Sequence, residues 1–208
     1  MPHFTVYEIA TLRLRLGTTP AAATAIAEYA SSADAGGQLL GCWFADIGDL
    51  NEVLVLRGFA GEAELNAERR RTLLSANPFG CAEYLTHLSV QSYAPFPWMA
   101  PVEPAALGPV YEIRSYELKI GGLQPTLDAW EKAMPARCEV SPCTIALFAL
   151  DGTPRITHIW PCRDLNERSA TRAEAVKRGV WPPVGGPAWL MPAMKSGIYL
   201  PTAVSPLK

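Results

Sequence analysis

The chain has 208 residues, of which 49% are apolar and 18% charged, with a formal charge of −2. These figures describe a globular chain able to bury a sizeable core, and they exclude a disordered segment or a basic nucleic-acid-binding surface. Charge is uneven along the chain. Up to Pro104 there are 6 Lys and Arg against 11 Asp and Glu, a balance of −5, whereas the remainder has 12 against 9, or +3. Two parts of opposite sign attract one another when they dock.

The opening residues, Met1-Pro-His-Phe-Thr-Val-Tyr-Glu, run directly into a strand pattern with no basic and apolar leader before it. No window approaches 18 apolar residues, so neither signal-directed secretion nor a membrane span is expected, and a cytoplasmic protein is. The first strand is expected over 4–16, rich in β-branched and aromatic residues and closed by Gly17. A helix follows, with Thr19 as cap, Pro20 at the first helical position, and Ala23, Ile26 and Ala30 as a modest apolar stripe. Two strands come next, over 39–45 and 52–59, around the turn Asp46-Ile47-Gly48-Asp49. A polar helix over 61–75 and a strand over 85–93 complete the series.

The segment 94–109 holds Pro95, Pro97, Pro101, Pro104 and Pro109, which makes it a stiff extended connector. After it the series starts again. Val6-Tyr7-Glu8-Ile9 recurs as Val110-Tyr111-Glu112-Ile113, a shift of 104 that persists to Phe44-Ala45 against Phe148-Ala149. One residue then drops out, and Leu54-Val55-Leu56 corresponds to Thr157-His158-Ile159. Strands are expected over 110–120, 144–150, 155–160 and 195–200, the middle two around Asp151-Gly152. Helices are expected from Leu123, with Leu127, Trp130 and Met134 in one stripe ended by Pro135, and over 166–178. The run from Trp181 through Trp189-Leu-Met-Pro reads as a proline-rich cover.

The chain is thus an internal duplication: repeats over 1–93 and 110–208 with a linker over 94–109. Each repeat has the order β-α-β-β-α-β, the ferredoxin-like pattern, in which two helices cover one face of an antiparallel sheet. The expected fold class is α+β, two ferredoxin-like repeats packed sheet to sheet as an intramolecular pseudo-dimer.

Asn51-Glu52-Val53 in the first repeat, Ile156-x-His158-x-Trp160 in the second, and the opening Val110-Tyr-Glu-Ile-Arg-Ser-Tyr-Glu-Leu-Lys-Ile-Gly121 resemble the NIPSNAP family. That resemblance implies the dimeric α+β barrel superfamily, which contains cofactor-free monooxygenases, polyketide cyclases, dehalogenating and haem enzymes, and proteins without an assigned activity. The first repeat departs from the family pattern, with Val55 and Arg57 where His and Trp are usual. Unequal half-sites argue against a symmetric two-site mechanism.

Candidate chemistry sits on two strands. Glu112, Arg114 and Tyr116 share one strand face, as do His158 and Trp160. Charged groups are not expected under helices, so this face is assigned to a cavity between the sheets. There Tyr116 is expected to act as acid, His158 as base, and Glu112 and Arg114 as orienting groups. Trp160, Glu8, Trp43 and Arg57 are the expected ligand-binding wall. The competing reading is an internal Glu–Arg pair and a core histidine that satisfy themselves. The first-repeat face, Val6, Glu8, Ala10, Leu12 and Leu14, is plainer.

Five cysteines at unpatterned spacing are expected to be free thiols, and His3, His87 and His158 have no metal-ligand spacing. Neither a metal nor a tightly bound cofactor is expected. The expected partner is a small molecule, aromatic or polyketide-like, undergoing oxygenation, cyclisation or proton-transfer rearrangement. The alternative is a non-catalytic binding or scaffold protein, and an open cavity between the sheets distinguishes the two. With its sheets already paired internally the chain is expected to be a monomer, leaving helices or strand edges for any further homodimer.

Overall fold

A computed structural model describes residues 4–208. The first repeat comprises β1 (Val6–Leu14), α1 (Thr19–Ala30), β2 (Gln38–Ile47), β3 (Glu52–Phe59), α2 (Glu62–Leu74) and β4 (Leu85–Pro95). The second comprises β5 (Val110–Leu118), α3 (Leu123–Val140), β6 (Ile145–Ala149), β7 (Arg155–Cys162), α4 (Leu165–Lys177) and β8 (Leu190–Pro201). β1 and β5 keep the shift of 104 at both ends, and α2 and α4 keep a shift of 103.

Hydrogen bonding joins all eight strands into one closed barrel in the order β1-β3-β2-β8-β5-β7-β6-β4. Each repeat contributes a four-stranded ferredoxin-like sheet, and the two meet along two seams. At one, Trp43, Phe44, Ala45 and Ile47 of β2 face Pro201, Leu200, Tyr199 and Ile198 of β8. At the other, Tyr93, Ala94 and Pro95 of β4 face Ala149, Phe148 and Leu147 of β6. The seams are equivalent under a pseudo-two-fold, since each joins the second strand of one repeat to the fourth of the other. Asp151 reinforces the second seam, accepting from the Ser92 N–H (2.9 Å) and pairing with Arg69 of α2 (3.1 Å).

Strand alternation divides the core into layers. Tyr7, Ile9, Trp43, Leu56, Tyr111, Ile113, Leu147, Ile159 and Tyr199 point inward and pack together from both repeats. Ala10, Leu12, Val53 and Val55 point outward beneath α1 with Ala22 and Ile26. Tyr116, Ile156 and Trp160 do the same beneath α3 with Leu127, Trp130 and Met134. Each large apolar side chain so buried contributes on the order of 1.5–3 kcal/mol.

One end of the barrel is filled. The connector after β4 sends Phe96 under α3 and then turns Val102 into the inner core, its N–H donating to the Tyr7 hydroxyl at 3.2 Å. Ala105 bridges to Leu207, so the connector and the C-terminal residues close that end together.

Three local expectations are corrected. α3 does not stop at Pro135 but runs to Val140, because Arg137 beyond the proline is buried as Met134 before it is. Tertiary packing thereby offsets the hydrogen bond that proline cannot make. Thr19 does not cap α1; Thr18 occupies that position and its hydroxyl turns back to the Arg15 carbonyl at 2.7 Å. β8 begins at Leu190, so Leu190-Met191-Pro192 are strand, with a register shift opposite Tyr116–Leu118 accommodating the proline. Trp181, by contrast, is a cover as expected, packed edge-on against Trp130 at 4.7 Å.

Candidate functional site

The inter-sheet face assigned to Glu112, Arg114, Tyr116, His158 and Trp160 is reversed in the structure. All five point outward beneath α3 and α4, with Tyr116 and Trp160 in the second helix-side layer. His158 is buried there, its Nδ1 accepting the Trp160 indole N–H at 2.6 Å, and the rings of Tyr116 and Trp130 meet it edge-on at 4.9 Å each. Its Nε2 has no hydrogen-bond partner. Burial, and then the Arg114 charge, push its pKa down to about 3, so the ring is neutral.

The reason for the reversal is that charges do lie under these helices, in clusters that neutralise them. Glu112 accepts from Arg114, Arg168 and Ser196. Glu8 and Arg57, also outward, pair with one another, and Arg57 continues to Glu68 of α2. Of the eight candidate residues, Trp43 alone faces inward. It packs against Tyr111 in the filled end at 5.2 Å between ring centroids, and forms wall there.

The open end of the barrel holds a cavity of about 1070 Å³. Ile9, Leu54 and Ile113 floor it. Above them a polar tier comprises Thr11, Ser89 and Gln91 from the first repeat and Ser115 and Thr157 from the second. At the rim are Arg13, Asp49, Glu52 and His87 on one side, and Glu117, Arg155 and Lys195 on the other. These positions follow from parity: on β1 the inward series is Tyr7, Ile9, Thr11, Arg13, and on β5 it is Tyr111, Ile113, Ser115, Glu117. Each series starts aromatic at the filled end and finishes charged at the mouth.

Two tyrosines anchor opposite walls. Tyr93 accepts from Arg155 Nε at 3.1 Å and donates to Gln91 Oε1 at 3.1 Å. The Thr157 hydroxyl lies 3.4 Å from it and 3.1 Å from Ser115 Oγ. Across the cavity Tyr199 donates to the Glu52 carboxylate at 2.9 Å. Tyr93 pairs with Tyr7 and Tyr199 with Tyr111, so the two tyrosines are equivalent positions, as are Glu52 and Arg155. Each phenol therefore reaches the third strand of the opposite repeat. Both contacts obey the pseudo-two-fold, but the charge they meet is inverted.

The first-strand positions invert as well. Arg13 corresponds to Glu117, and Arg13 approaches Glu52 at 3.8 Å while also pairing with Asp49 at 2.8 Å. Burial raises the Glu52 pKa, the Tyr199 hydrogen bond opposing it, and burial with the Glu52 charge raises that of Tyr199. One wall thus offers a carboxylate and the other a guanidinium fixed by the carbonyls of Asp151 (2.9 Å) and Thr153 (3.0 Å).

The inward alternation Thr11/Arg13 and Ser115/Glu117 is legible as sequence, and it is the signal that locates this site. Among the described residues no group of three or more His, Cys, Asp or Glu is placed to hold a metal ion, and His3 lies outside them. All five cysteines are free. No helix among the described residues is long and apolar enough to cross a membrane.

The sequence profile of the family described as NIPSNAP matches residues 7–89 and 111–206. Protein NipSnap homolog 1 of Danio rerio is 31% identical over 113 residues, covering 53% of this chain and 40% of that protein. The chain therefore spans well under half the length of this curated relative. Among solved structures, a candidate monooxygenase from Lactobacillus acidophilus NCFM aligns at TM-score 0.64 and 10% identity, covering 96% of this chain and 94% of that one. An anthrone oxidase-like protein aligns at TM-score 0.64 and 10% identity, covering 95% and 91%. At such identity these likenesses concern the fold alone.

Proposed function

The chain belongs to the NIPSNAP family, and from that premise we propose that it binds a small molecule in the open end of its barrel. The observation that carries this reading is the cavity of about 1070 Å³, in which polar side chains of both repeats converge over an apolar floor. The ligand is flat and amphiphilic, of the hydroxylated aromatic or polyketide-like class. Its apolar body rests on Ile9, Leu54 and Ile113. Its carbonyl or phenolate oxygen meets Tyr93 and Arg155, and its hydroxyl meets Glu52 and Tyr199.

The same groups suit proton transfer without a tightly bound cofactor. Glu52, with its pKa raised by burial, is a base for a ligand hydroxyl. Arg155, behind the Tyr93 phenol, stabilises negative charge developing on a ligand oxygen.

Titration of the full chain with naphthol-class compounds and anthrone, followed by tryptophan fluorescence, tests the site. Wild type is expected to bind, and Ser115→Trp, which fills the middle tier, to bind at least about tenfold more weakly with its fold intact by circular dichroism. Arg155→Met is expected to weaken acidic phenols more than neutral ones. Equal affinity in wild type and Ser115→Trp would remove the cavity as the site. Binding with no product by chromatography would assign a binding role in place of an enzymatic one.

A further inference from the structure

The outer face of the second repeat carries positive charge in excess of its counter-charge. Glu112, buried beneath α4, accepts from Arg114, Arg168 and the Ser196 hydroxyl (2.9 Å), and Arg172 approaches its second oxygen at 3.6 Å. Three guanidiniums share one carboxylate. Arg168 Nε is buried without a hydrogen-bond partner. Among the described residues Arg172 has this one ion pair and no hydrogen bond. The cluster is reachable from solvent: the side chains of Arg114, Arg168 and Arg172 are 13%, 29% and 34% exposed.

The first repeat supplies an internal control. Glu8, the counterpart of Glu112, accepts from Arg57; Arg57 also pairs with Glu68, and Arg71 closes on Glu68 at 2.7 Å. Two buried carboxylates meet Arg57 and Arg71, while Arg69 pairs with Asp151 and the exposed Asp34 also approaches Arg71. By the shift of 103 between α2 and α4, Thr171 stands where Glu68 does and Arg168 where Leu65 does; on the first strand Arg114 stands where Ala10 does. The second repeat thus has one buried carboxylate fewer at the same place, and Arg172, unlike its counterpart Arg69, has no carboxylate such as Asp151 to itself. Titration behaviour follows the count. Burial pushes Glu8, the more deeply buried of the two, above the usual carboxylate range despite Arg57, whereas Glu112, also opposed by burial, is held down to about 2 by Arg168, Arg114 and Arg172.

We propose that Arg114, Arg168 and Arg172 form a binding site for a phosphate-class oxyanion, free or carried on a small molecule, at the position that Glu68 fills in the first repeat. Two uncompensated charges in a partly desolvated cluster are relieved by a dianion, and forked guanidiniums match its oxygens in pairs. The site lies on the opposite side of the sheet from the cavity, and it stands whether or not the cavity binds a ligand.

Thermal unfolding of the full chain in inorganic phosphate, in phenyl phosphate and in sodium chloride, all at one ionic strength, tests it. Phosphate or phenyl phosphate is expected to raise Tm saturably where chloride does not. A response to phenyl phosphate alone assigns a phosphoryl group on a small molecule, and a response to inorganic phosphate alone assigns the free ion. Arg172→Met, at a half-exposed position, is expected to weaken the response about tenfold. Thr171→Glu, which restores the carboxylate of the first repeat, is expected to abolish it. Identical Tm in phosphate and chloride would overturn the proposal, as would a Thr171→Glu or Arg172→Met protein that responds like wild type.

Discussion

At the residue scale, His158 is the side chain whose chemistry most depends on which way it faces. On the cavity side it is a base; under α3 it is a neutral ring in a box of aromatic edges. Its depressed pKa has a signed consequence. The unfolded chain takes up a proton near the ordinary histidine value of 6.5, while the native state does so only near pH 3. Between those values the unfolded state binds more protons, so stability falls as pH falls, by up to about 1.4 kcal/mol per pH unit. His158→Phe, which keeps a ring in the box, is expected to flatten urea-derived stability between pH 6.5 and 4 relative to wild type. An unchanged slope would mean that the ring is protonated in the native state. The His158-x-Trp160 spacing was legible as a shared strand face, and the structure keeps it: the two rings are hydrogen-bonded to each other. Which side of the sheet that face took was not legible, because alternation fixes parity and leaves direction open. The outward side is set by the complementary charges of Arg168 and Arg172 on α4 and of Glu68 on α2, residues more than 50 positions distant from Glu112 and Glu8 in sequence.

At the element scale, the repeat carried most of the information. A register of 104, shortened to 103 after Ala45, relates β1, α1, β2, β3 and α2 to their second-repeat counterparts, since two copies of a weak pattern constrain one another. The errors fall where the copies differ. Pro192 interrupts the strand signal of β8, so the pattern covers only half its length, and Pro135 ends the helical pattern of α3 although the helix continues with Arg137 buried. β2 holds a feature no pattern reveals. It shifts register between Leu39 and Gly41, and the Trp43 ring lies across Gly41, so a Cβ there would sit 1.9 Å from Trp43 Cη2. Gly41→Ala must displace the indole from Tyr111 in the filled end. Denaturant unfolding is expected to show a loss of about 3 kcal/mol, the upper end of overpacking costs. A loss below about 0.5 kcal/mol would show that the indole repacks freely.

At the scale of the whole molecule, the two seams make the repeats one cooperative body. Neither sheet has its inner face covered without the other, and the connector that joins them also fills the closed end. Unfolding followed separately by fluorescence, which weights Trp130, Trp160 and Trp181 of the second repeat, and by far-UV circular dichroism, which samples both, is expected to give coincident transitions. Two resolved steps would mean that the repeats unfold as independent units. The sheet-to-sheet architecture was legible because a duplicated ferredoxin-like unit leaves two apolar faces with one economical solution. The cavity was less so, since its volume is what the inward side chains of eight strands fail to fill.

The inverted charges at the mouth carry an orientational consequence. A barrel made of two identical chains has a true two-fold through its centre, so a ligand on that axis has two equivalent poses related by that rotation. Here Tyr93 leads to a guanidinium and Tyr199 to a carboxylate. For a ligand in the proposed site, half a turn about the barrel axis exchanges its donor for its acceptor and misplaces both, so the two poses differ in energy. Fusing the two repeats in one chain is what allows their mouths to differ, and it lets this barrel choose between two orientations that a homodimer cannot tell apart.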